Sequence, residues 1–240
     1  MCLIIKKMKK NLVILSGAGM SQESGIRTFR DMDGLWEEYD VMDVATPEAW
    51  ARNPQLVMKF YNDRRRQLYD SVPNAGHLGL VDLEKYFELD IVTQNIDDLH
   101  ERAGSSKVLH LHGELKKARS SVDESLIYDI DGWELKFGEL CDKGSQLRPH
   151  IVWFGEAVPA MDKAIAIVQK ADILVVIGTS LNVYPAAGLI NYTKSGTPIY
   201  VIDPHRPEVF IRPDTLGITY IQEKAGRGVA ILKEQLIKAL

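Results

Sequence analysis

The chain has 240 residues, of which 45% are hydrophobic and 26% are charged, a mixture typical of a globular protein with one sizeable core. Its net charge of −4 gives no reason to expect a nucleic-acid partner, and no apolar run approaches the roughly 20 residues that span a bilayer. The two cysteines are too few for a disulfide framework, so we expect a cytoplasmic protein without a membrane partner.

Five apolar runs along the chain predict buried strands. They are Leu12–Leu15, Leu89–Thr93, Val108–Leu111, Ile173–Gly178 and Pro198–Ile202. Helical patterns alternate with them, including residues 47–86 and Val229–Leu240, so the order predicts an α/β fold with a mostly parallel sheet. Residues 116–148 are polar and lack a clear period, which indicates an insertion outside the sheet.

Glycine and polar residues follow nearly every predicted strand. They are Gly17-Ala18-Gly19, Gln94-Asn95-Ile96-Asp97, His112-Gly113, Gly178-Thr179-Ser180 and Asp203. Because ligands bind at the carboxyl ends of parallel strands, these residues predict a binding site. The first glycine turn is expected to offer free N–H groups to a pyrophosphate, although Gln22 replaces the third glycine of the dinucleotide fingerprint and a purely structural turn is the alternative.

The string GAGMSQESGIRTFR, which begins at Gly17, resembles the cofactor loop of sirtuins, the NAD-dependent protein deacylases. Four further segments resemble that family in the same order: TQNID, His112-Gly113, RPHIVWFGE and GTSLNVYP. The resemblance implies a Rossmann-like NAD domain, with helices on both faces of its sheet, made of residues 8–35, 87–115 and 149–240. Residues 36–86 and 116–148 would form a small module from two insertions.

The resemblance also implies the residues of the active site. His112 would be the catalytic base that deprotonates the ribose 3′-hydroxyl, while Asn95 and Asp97 would line the nicotinamide pocket and Gln94 would reach the ribose. The remaining NAD contacts would come from Gly17, Ala18, Gly19, Ser21, Glu23, Gly25, Ile26, Thr28, Phe29, Arg30, Trp36, Ile96, Gly178, Thr179, Ser180, Asp203 and Ala225. Asp203 stands where sirtuins usually have asparagine.

The residues alone leave simpler alternatives open. Asn95 or Asp97 would also suit the cap of a helix that begins near Asp98, and Ser180 would suit another cap. His110 and His112 share one strand face, so either would also suit a buried structural position or a metal site. A pair at this spacing without further ligands makes a poor metal site, and we expect His110 to be scaffold.

The segment RPHIVWFGE is where sirtuins pair with the substrate peptide as an added strand. By this resemblance Val152, Phe154 and Gly155 would wall an acyl-lysine tunnel, with Val183 and Tyr184 also at the substrate; the alternative is that Trp153 and Phe154 are core. Tyr61 and Arg64 lie three residues apart on a predicted helix. They match a pair that binds acyl carboxylates in desuccinylases and demalonylases, whereas composition alone favours a solvated helix face.

Most sirtuins hold a structural zinc ion with two Cys-x-x-Cys pairs. The first pair falls here on Ser120 and Asp123, and the second falls near Leu140 or Cys141 and on Lys143. We therefore predict no zinc, although Ser120 and Asp123 would suit weak binding of a hard ion. Packing would instead hold residues 116–148 together through Leu126, Ile127, Tyr128, Trp133, Leu135 and Phe137.

The predicted function is NAD-dependent removal of acyl groups from acylated-lysine protein substrates by a monomer, which yields nicotinamide and O-acyl-ADP-ribose. The alternatives are ADP-ribosyl transfer, NAD hydrolysis or a non-catalytic NAD-sensing module.

Overall fold

A parallel sheet of six strands organises the part of the chain that the computed structural model describes, residues 9–26, 35–36, 39–206 and 217–240. In spatial order the strands are β11 (Ile218–Ile221), β10 (Ile199–Ile202), β9 (Ile173–Ile177), β1 (Asn11–Ser16), β4 (Glu88–Thr93) and β5 (Val108–His110). The chain builds outward from β1 in one direction through β4 and β5, and then in the other through β9 to β11. The order therefore reverses between β1 and β9, where such sheets bind ligands.

The α/β fold with a parallel sheet is confirmed, and all five predicted strands form within one or two residues of their expected bounds. The sixth strand, β11, was missed because its four residues at the sheet edge make a weak apolar run. The C-terminal helix begins at Ala225 rather than at Val229.

Helices cover both faces of the sheet. The helices α4 (Ala75–Leu83) and α7 (Ala225–Lys238) pack on one face, while α6 (Met161–Val168) and the 3-10 segment Ala186–Tyr192 pack on the other. Alternate residues of β9 enter the two cores, with Val175 in the first and Val176 in the second. This two-sided burial explains why the strands read as continuous apolar runs.

Three helices lie between β1 and α4 and form a separate core. They are α1 (Val41–Val44), α2 (Pro47–Arg52) and α3 (Pro54–Asp70), preceded by a short hairpin of β2 (Leu35–Trp36) and β3 (Tyr39–Asp40). Side chains of Asp40, Thr46 and Asn53 accept hydrogen bonds at their N-termini. The helix α4 falls within the range 36–86 assigned by sequence to the small module, yet Leu80 and Leu83 pack against the sheet. The division into two domains stays a prediction.

Residues 113–151 contain a second, antiparallel sheet in the order β7 (Ile127–Asp129), β6 (Gly113–Ser120) and β8 (Leu147–Ile151). Of the residues expected to pack there, Leu135 is buried and Leu126 and Tyr128 are partly buried. The prediction is wrong for Ile127, Trp133 and Phe137, whose exposed fractions are 46%, 38% and 55%. Ile127 precedes the inward-facing Tyr128 on an edge strand, so its side chain points away from the core.

Direct hydrogen bonds join the positions where zinc ligands would fall. The Cys141 thiol donates to Ser120 Oγ over 3.3 Å, and Ser145 Oγ lies 3.0 Å from Ser120 Oγ. Lys143 Nζ lies 2.6 Å from Asp123. Among the described residues, no three His, Cys, Asp or Glu side chains are arranged to hold a metal ion. No helix in those same ranges has the length and apolarity needed to cross a membrane.

The α3 helix holds this second sheet through main-chain atoms. The buried guanidinium of Arg65 donates to Leu115 O over 2.6 Å and to Trp133 O over 2.8 Å. The Asn62 amide exchanges two hydrogen bonds with the backbone of Leu135. These hydrogen bonds fix α3 relative to the second sheet.

Candidate functional site

Two glycine loops touch where the strand order reverses. Gly17 N donates to Ile177 O over 2.9 Å, and Gly19 N donates to Gly178 O over 2.8 Å. A Cβ on Gly19 would lie 2.6 Å from Gly178 Cα, and Gly178 itself has a φ of 61°, so side chains are excluded by close backbone approach. The expectation that both N–H groups are free for a pyrophosphate is wrong, because the fold uses them.

The loop after β1 continues as two short 3-10 turns that end at Gly25, which has a φ of 87°. Within them, the Glu23 carboxylate accepts a hydrogen bond of 2.7 Å from Gly226 N, next to Ala225 in the first turn of α7. An acidic group at a helix N-terminus is electrostatically favourable. Ile26 packs against the core around α3. Thr28, Phe29 and Arg30 lie outside the described residues, as does the side chain of Trp36.

Ser21, Asn95 and Asp97 form a buried polar network. Ser21 Oγ donates to Asp97 Oδ2 over 2.9 Å and accepts from Asn95 Nδ2 over 3.1 Å. Burial raises the pKa of Asp97 to about 6, against the opposing hydrogen bonds from Leu99 N and Ser21. Asp97 Oδ1 accepts a hydrogen bond from Leu99 N, the first residue of α5 (Leu99–Ala103). Asp97 therefore also binds the start of this helix, as the simpler alternative of a helix cap held.

Four consecutive carbonyl groups fix the path of the segment that contains Asn95. Each accepts a hydrogen bond of 2.8 to 3.0 Å from the stretch 110–115: Thr93 O from Leu111 N, Gln94 O from His112 Nδ1, Asn95 O from His110 Nδ1 and Ile96 O from Leu115 N. The chain after β4 is thus bound to the stretch 110–115 from Thr93 to Ile96.

The environment of His112 sets its tautomer. Because Gln94 O can only accept, Nδ1 must carry the proton, and the neutral ring keeps its lone pair on Nε2. Burial lowers the pKa of His112, which favours this neutral form at neutral pH. The arrangement provides what a general base needs: a fixed ring and an unprotonated nitrogen.

A side-chain hydrogen bond joins the loops that follow β4 and β9. Gln94 Nε2 donates to Thr179 Oγ1 over 3.2 Å, and Thr179 Oγ1 also accepts from Leu181 N. Ser180 follows at the same strand end, without a helix directly after it to cap. The buried Asp203 at the end of β10 accepts from His205 N over 2.9 Å. The bond from Gln94 to Thr179 brings two of the predicted strand-end segments together, while Asp203 bonds within its own loop, and the role of these residues as a binding site stays a prediction.

The segment after β8 runs beside this cluster. Val152 N donates to His112 O over 2.9 Å, and Phe154 N donates to Ala45 O over 3.0 Å. Trp153 is core, as the simpler alternative held, whereas Phe154 is exposed. Gly155 is exposed with a φ of 89°. Val183 and Tyr184 are exposed as well.

Tyr61 and Arg64 are both buried, so the alternative of a solvated helix face is wrong for them. Tyr61 Oη accepts from Trp153 Nε1 over 3.1 Å, and the Arg64 guanidinium lies 3.4 Å from the centre of the Phe60 ring. Burial raises the pKa of Tyr61, so its phenol stays protonated. Its O–H therefore remains a hydrogen-bond donor, and the nearby positive charge of Arg64 acts on the same phenol.

A buried ion cluster that sequence reasoning missed supports Trp153. Glu156 accepts from Trp153 N over 2.8 Å and pairs with Arg148 and Arg119. The Arg148 guanidinium lies 3.3 Å from the centre of the Trp153 ring. Arg148 and Glu156 are the two ends of the string RPHIVWFGE, which is the signal that could have found the cluster.

Known proteins resemble the chain over almost its full length. A relative from Helicobacter pylori is 52% identical over 231 residues, covering 95% of this chain and 98% of its own, and one from Bacteroides thetaiotaomicron is 52% identical over 235 residues, covering 96% and 99%. Both are named NAD-dependent protein deacylase.

Solved structures give the same result. A mutant Sir2 homologue in complex with ADP-ribose has a TM-score of 0.86 at 39% identity, covering 96% of this chain and 93% of its own. A Sir2 homologue in complex with NAD has a TM-score of 0.84 at 39% identity, covering 96% and 91%. The model of the Sir2 family matches residues 17–185, and with these relatives it shows that the chain belongs to the Sir2 family.

Proposed function

We propose that this protein is an NAD-dependent protein-lysine deacylase that prefers acyl groups ending in a carboxylate. The relatives named above cover nearly the whole chain and carry the name NAD-dependent protein deacylase. The observation that carries the proposal is the position of His112, a neutral ring fixed by Gln94 O beside the buried network of Ser21, Asn95 and Asp97. A cytoplasmic setting and a monomeric state stay predictions.

The residues at the strand ends fit a dinucleotide. The loops at Gly17 and Gly178 leave no room for a Cβ, since one on Gly17 would lie 2.7 Å from Thr179 Cβ. The hydroxyls of Thr179 and Ser180 are suited to phosphate or ribose oxygens, and Asp203 to ribose hydroxyls. Bound here, NAD would supply an electrophilic ribose carbon with nicotinamide as its leaving group.

The chain's own groups then have distinct tasks. His112 Nε2 takes a proton from a ribose hydroxyl, and the bond from Nδ1 to Gln94 O stabilises the imidazolium that results. Asn95 and Asp97 orient the nicotinamide amide, with Ser21 fixing both side chains. The surrounding burial keeps water from competing for these hydrogen bonds.

The preference for acidic acyl groups rests on Tyr61 and Arg64. Both are buried on α3, and Tyr61 contacts Trp153, the neighbour of Val152 and Phe154. A phenol O–H and a guanidinium together match a carboxylate, and charge-assisted hydrogen bonds of this kind contribute about 1.5–3 kcal/mol. An acetyl group has no carboxylate to receive them.

The test is a mass-spectrometric deacylation assay on one peptide that bears acetyl-, malonyl- or succinyl-lysine, with and without NAD. We expect NAD-dependent loss of the acidic acyl groups, abolished in His112→Ala. Arg64→Met should lower kcat/KM for succinyl-lysine by about 10- to 100-fold, with little effect on acetyl-lysine.

The matched control is Arg66→Met, which removes the same charge from the exposed side of α3. Equal losses in Arg64→Met and Arg66→Met, or equal losses for both acyl types, would contradict the acidic-acyl preference. Bound NAD without loss of any acyl group would contradict deacylation itself.

A further inference from the structure

We infer that His110 and Glu101 are positioning residues: a charged His110 ring, held by Glu101, fixes the main chain at Asn95 and thereby orients the nicotinamide pocket. This inference rests on the proposed function, because it assigns a task to residues that the deacylase mechanism itself does not use. Sequence reasoning treated His110 as scaffold without a specific role.

The atoms around the His110 ring define its protonation. Nδ1 lies 2.8 Å from Asn95 O, and Nε2 lies 2.8 Å from Glu101 Oε1. A carbonyl oxygen and an ionised carboxylate can only accept hydrogen bonds, so both ring nitrogens must donate. Both contacts are satisfied together only by the imidazolium, which carries two N–H groups.

The ring is largely shielded from solvent, while its partner remains accessible. The His110 side chain is 8% exposed and the Glu101 side chain 41% exposed. A buried cation needs a paired anion, and Glu101 on α5 provides it across the gap between that helix and β5. The pair therefore links the helix after the nicotinamide segment to the strand before His112.

Other charged and titratable groups around the ring act in the same sense. Burial is the largest influence and lowers the pKa of His110, but the hydrogen bond and charge of Glu101, the hydrogen bond to Asn95 O and the charge of Glu114 on β6 together outweigh it, so the pKa is raised. The charge of His110 in turn opposes the raised pKa of Asp97 and further lowers the pKa of His100. A charged His110 thus favours the ionised form of Asp97.

His110 and His112, two residues apart, consequently differ in charge. His110 is a cation that donates twice, whereas His112 donates once and keeps a free lone pair for the base. Their carbonyl partners, Asn95 O and Gln94 O, belong to consecutive residues. Loss of the His110 proton would release one of its two contacts and loosen the segment on which His112 also depends.

The test compares Glu101→Gln, which removes the charge and whose amide N–H can donate to Nε2 of a neutral ring, with Glu101→Asp, which keeps the charge. The control Glu88→Gln removes an exposed ion pair with Lys107 at the opposite end of β4. The readouts are the NMR titration of the His110 ring, amide hydrogen exchange at residues 95–97, and the pH profile of kcat/KM on the preferred acyl peptide.

We expect the wild-type ring to titrate above its ordinary range, and its pKa to fall by about one unit or more in Glu101→Gln. Above that lower pKa the bond from Nδ1 to Asn95 O is no longer charge-assisted and is weaker, so amide exchange at residues 95–97 should accelerate and the alkaline limb of kcat/KM should move down by the same amount. The acid limb, set by His112, should stay in place. Glu101→Asp and Glu88→Gln should both behave like the wild type.

A His110 ring that titrates at or below its ordinary range in the wild type would overturn the inference. So would an alkaline limb that is unchanged in Glu101→Gln. The ring titration and the amide exchange need no turnover, so they decide the role of His110 even for a protein without deacylase activity. Absence of acyl loss in the wild type would refute only the proposed function.

Discussion

The buried hydroxyl of Ser21 offers a sharp test of the polar network. The substitution Ser21→Ala removes the donor to Asp97 Oδ2 and the acceptor of Asn95 Nδ2. Both partner side chains are buried, so water does not readily replace the lost contacts. Asp97 keeps its bond from Leu99 N, but that bond reaches the other carboxylate oxygen.

The expected loss of stability depends on pH. Leaving buried polar groups unsatisfied costs about 1–3 kcal/mol each, so for the two groups we expect a loss of about 2–6 kcal/mol where Asp97 is ionised. The folded-state pKa of Asp97, about 6, lies above its unfolded value, and losing the Ser21 donor raises it further. Below that pKa the carboxyl is neutral and needs the hydroxyl less. The variant should therefore lose more free energy of unfolding at pH 8 than at pH 5. A rise of about one unit in the pKa of Asp97 corresponds to a difference of about 1.4 kcal/mol.

Urea denaturation at the two pH values measures both quantities. Ser24→Ala is the matched control, because Ser24 Oγ accepts only a partly buried bond from Asn74 and does not contact Asp97. This control should lose about 1 kcal/mol at either pH. A Ser21→Ala loss that is below 1 kcal/mol, or that is the same at pH 5 and pH 8, would refute the argument.

Two further predictions concern protons and metals. The neighbouring rings of His77 and His100, 4.9 Å apart, are buried and their pKa values are lowered to about 4 and about 3 by burial. Their stabilising contribution is complete above about pH 6.5 and is lost as the pH falls toward these values. The wild type should therefore lose free energy of unfolding between pH 7.5 and pH 5, and His77→Gln should remove about 2 kcal/mol of that loss, as measured by urea denaturation. A loss of the same size in the variant would contradict this. Because Cys141 hydrogen-bonds to serines where zinc ligands would fall, overnight treatment with EDTA should leave the thermal midpoint within 1–2 °C, and a larger drop would count against a metal-free module.

The sequence sufficed for five of the six strands of the central sheet, because strands covered by helices on both faces read as continuous apolar runs, whereas the edge strand β11 was missed. It failed for the antiparallel sheet of residues 113–151, since β6 mixes charged and small residues and β7 is only three residues long. Propensity does not reveal such strands when pairing partners decide them.

The membership of the site was largely predictable, but its connections were not. The strand-end rule and the family resemblance placed Ser21, Asn95 and Asp97 together, yet nothing in their spacing shows that one hydroxyl serves both other side chains. The same holds for Gly19, whose N–H is used by Gly178 O only because two loops far apart in the chain meet. Roles that depend on contacts between distant segments need coordinates.

The backbone hydrogen bonds between α3 and the second sheet affect which substitutions this protein can tolerate. Arg65 and Asn62 bind the backbone atoms of Leu115, Trp133 and Leu135, so these hydrogen bonds do not depend on which side chains occupy those positions. Substitutions on the outer surface of the second sheet can therefore accumulate while these hydrogen bonds still hold the helix that carries Tyr61 and Arg64. The backbone hydrogen bonds thus attach the second sheet to the helix of the proposed specificity pocket, whatever side chains stand on the outer surface of that sheet.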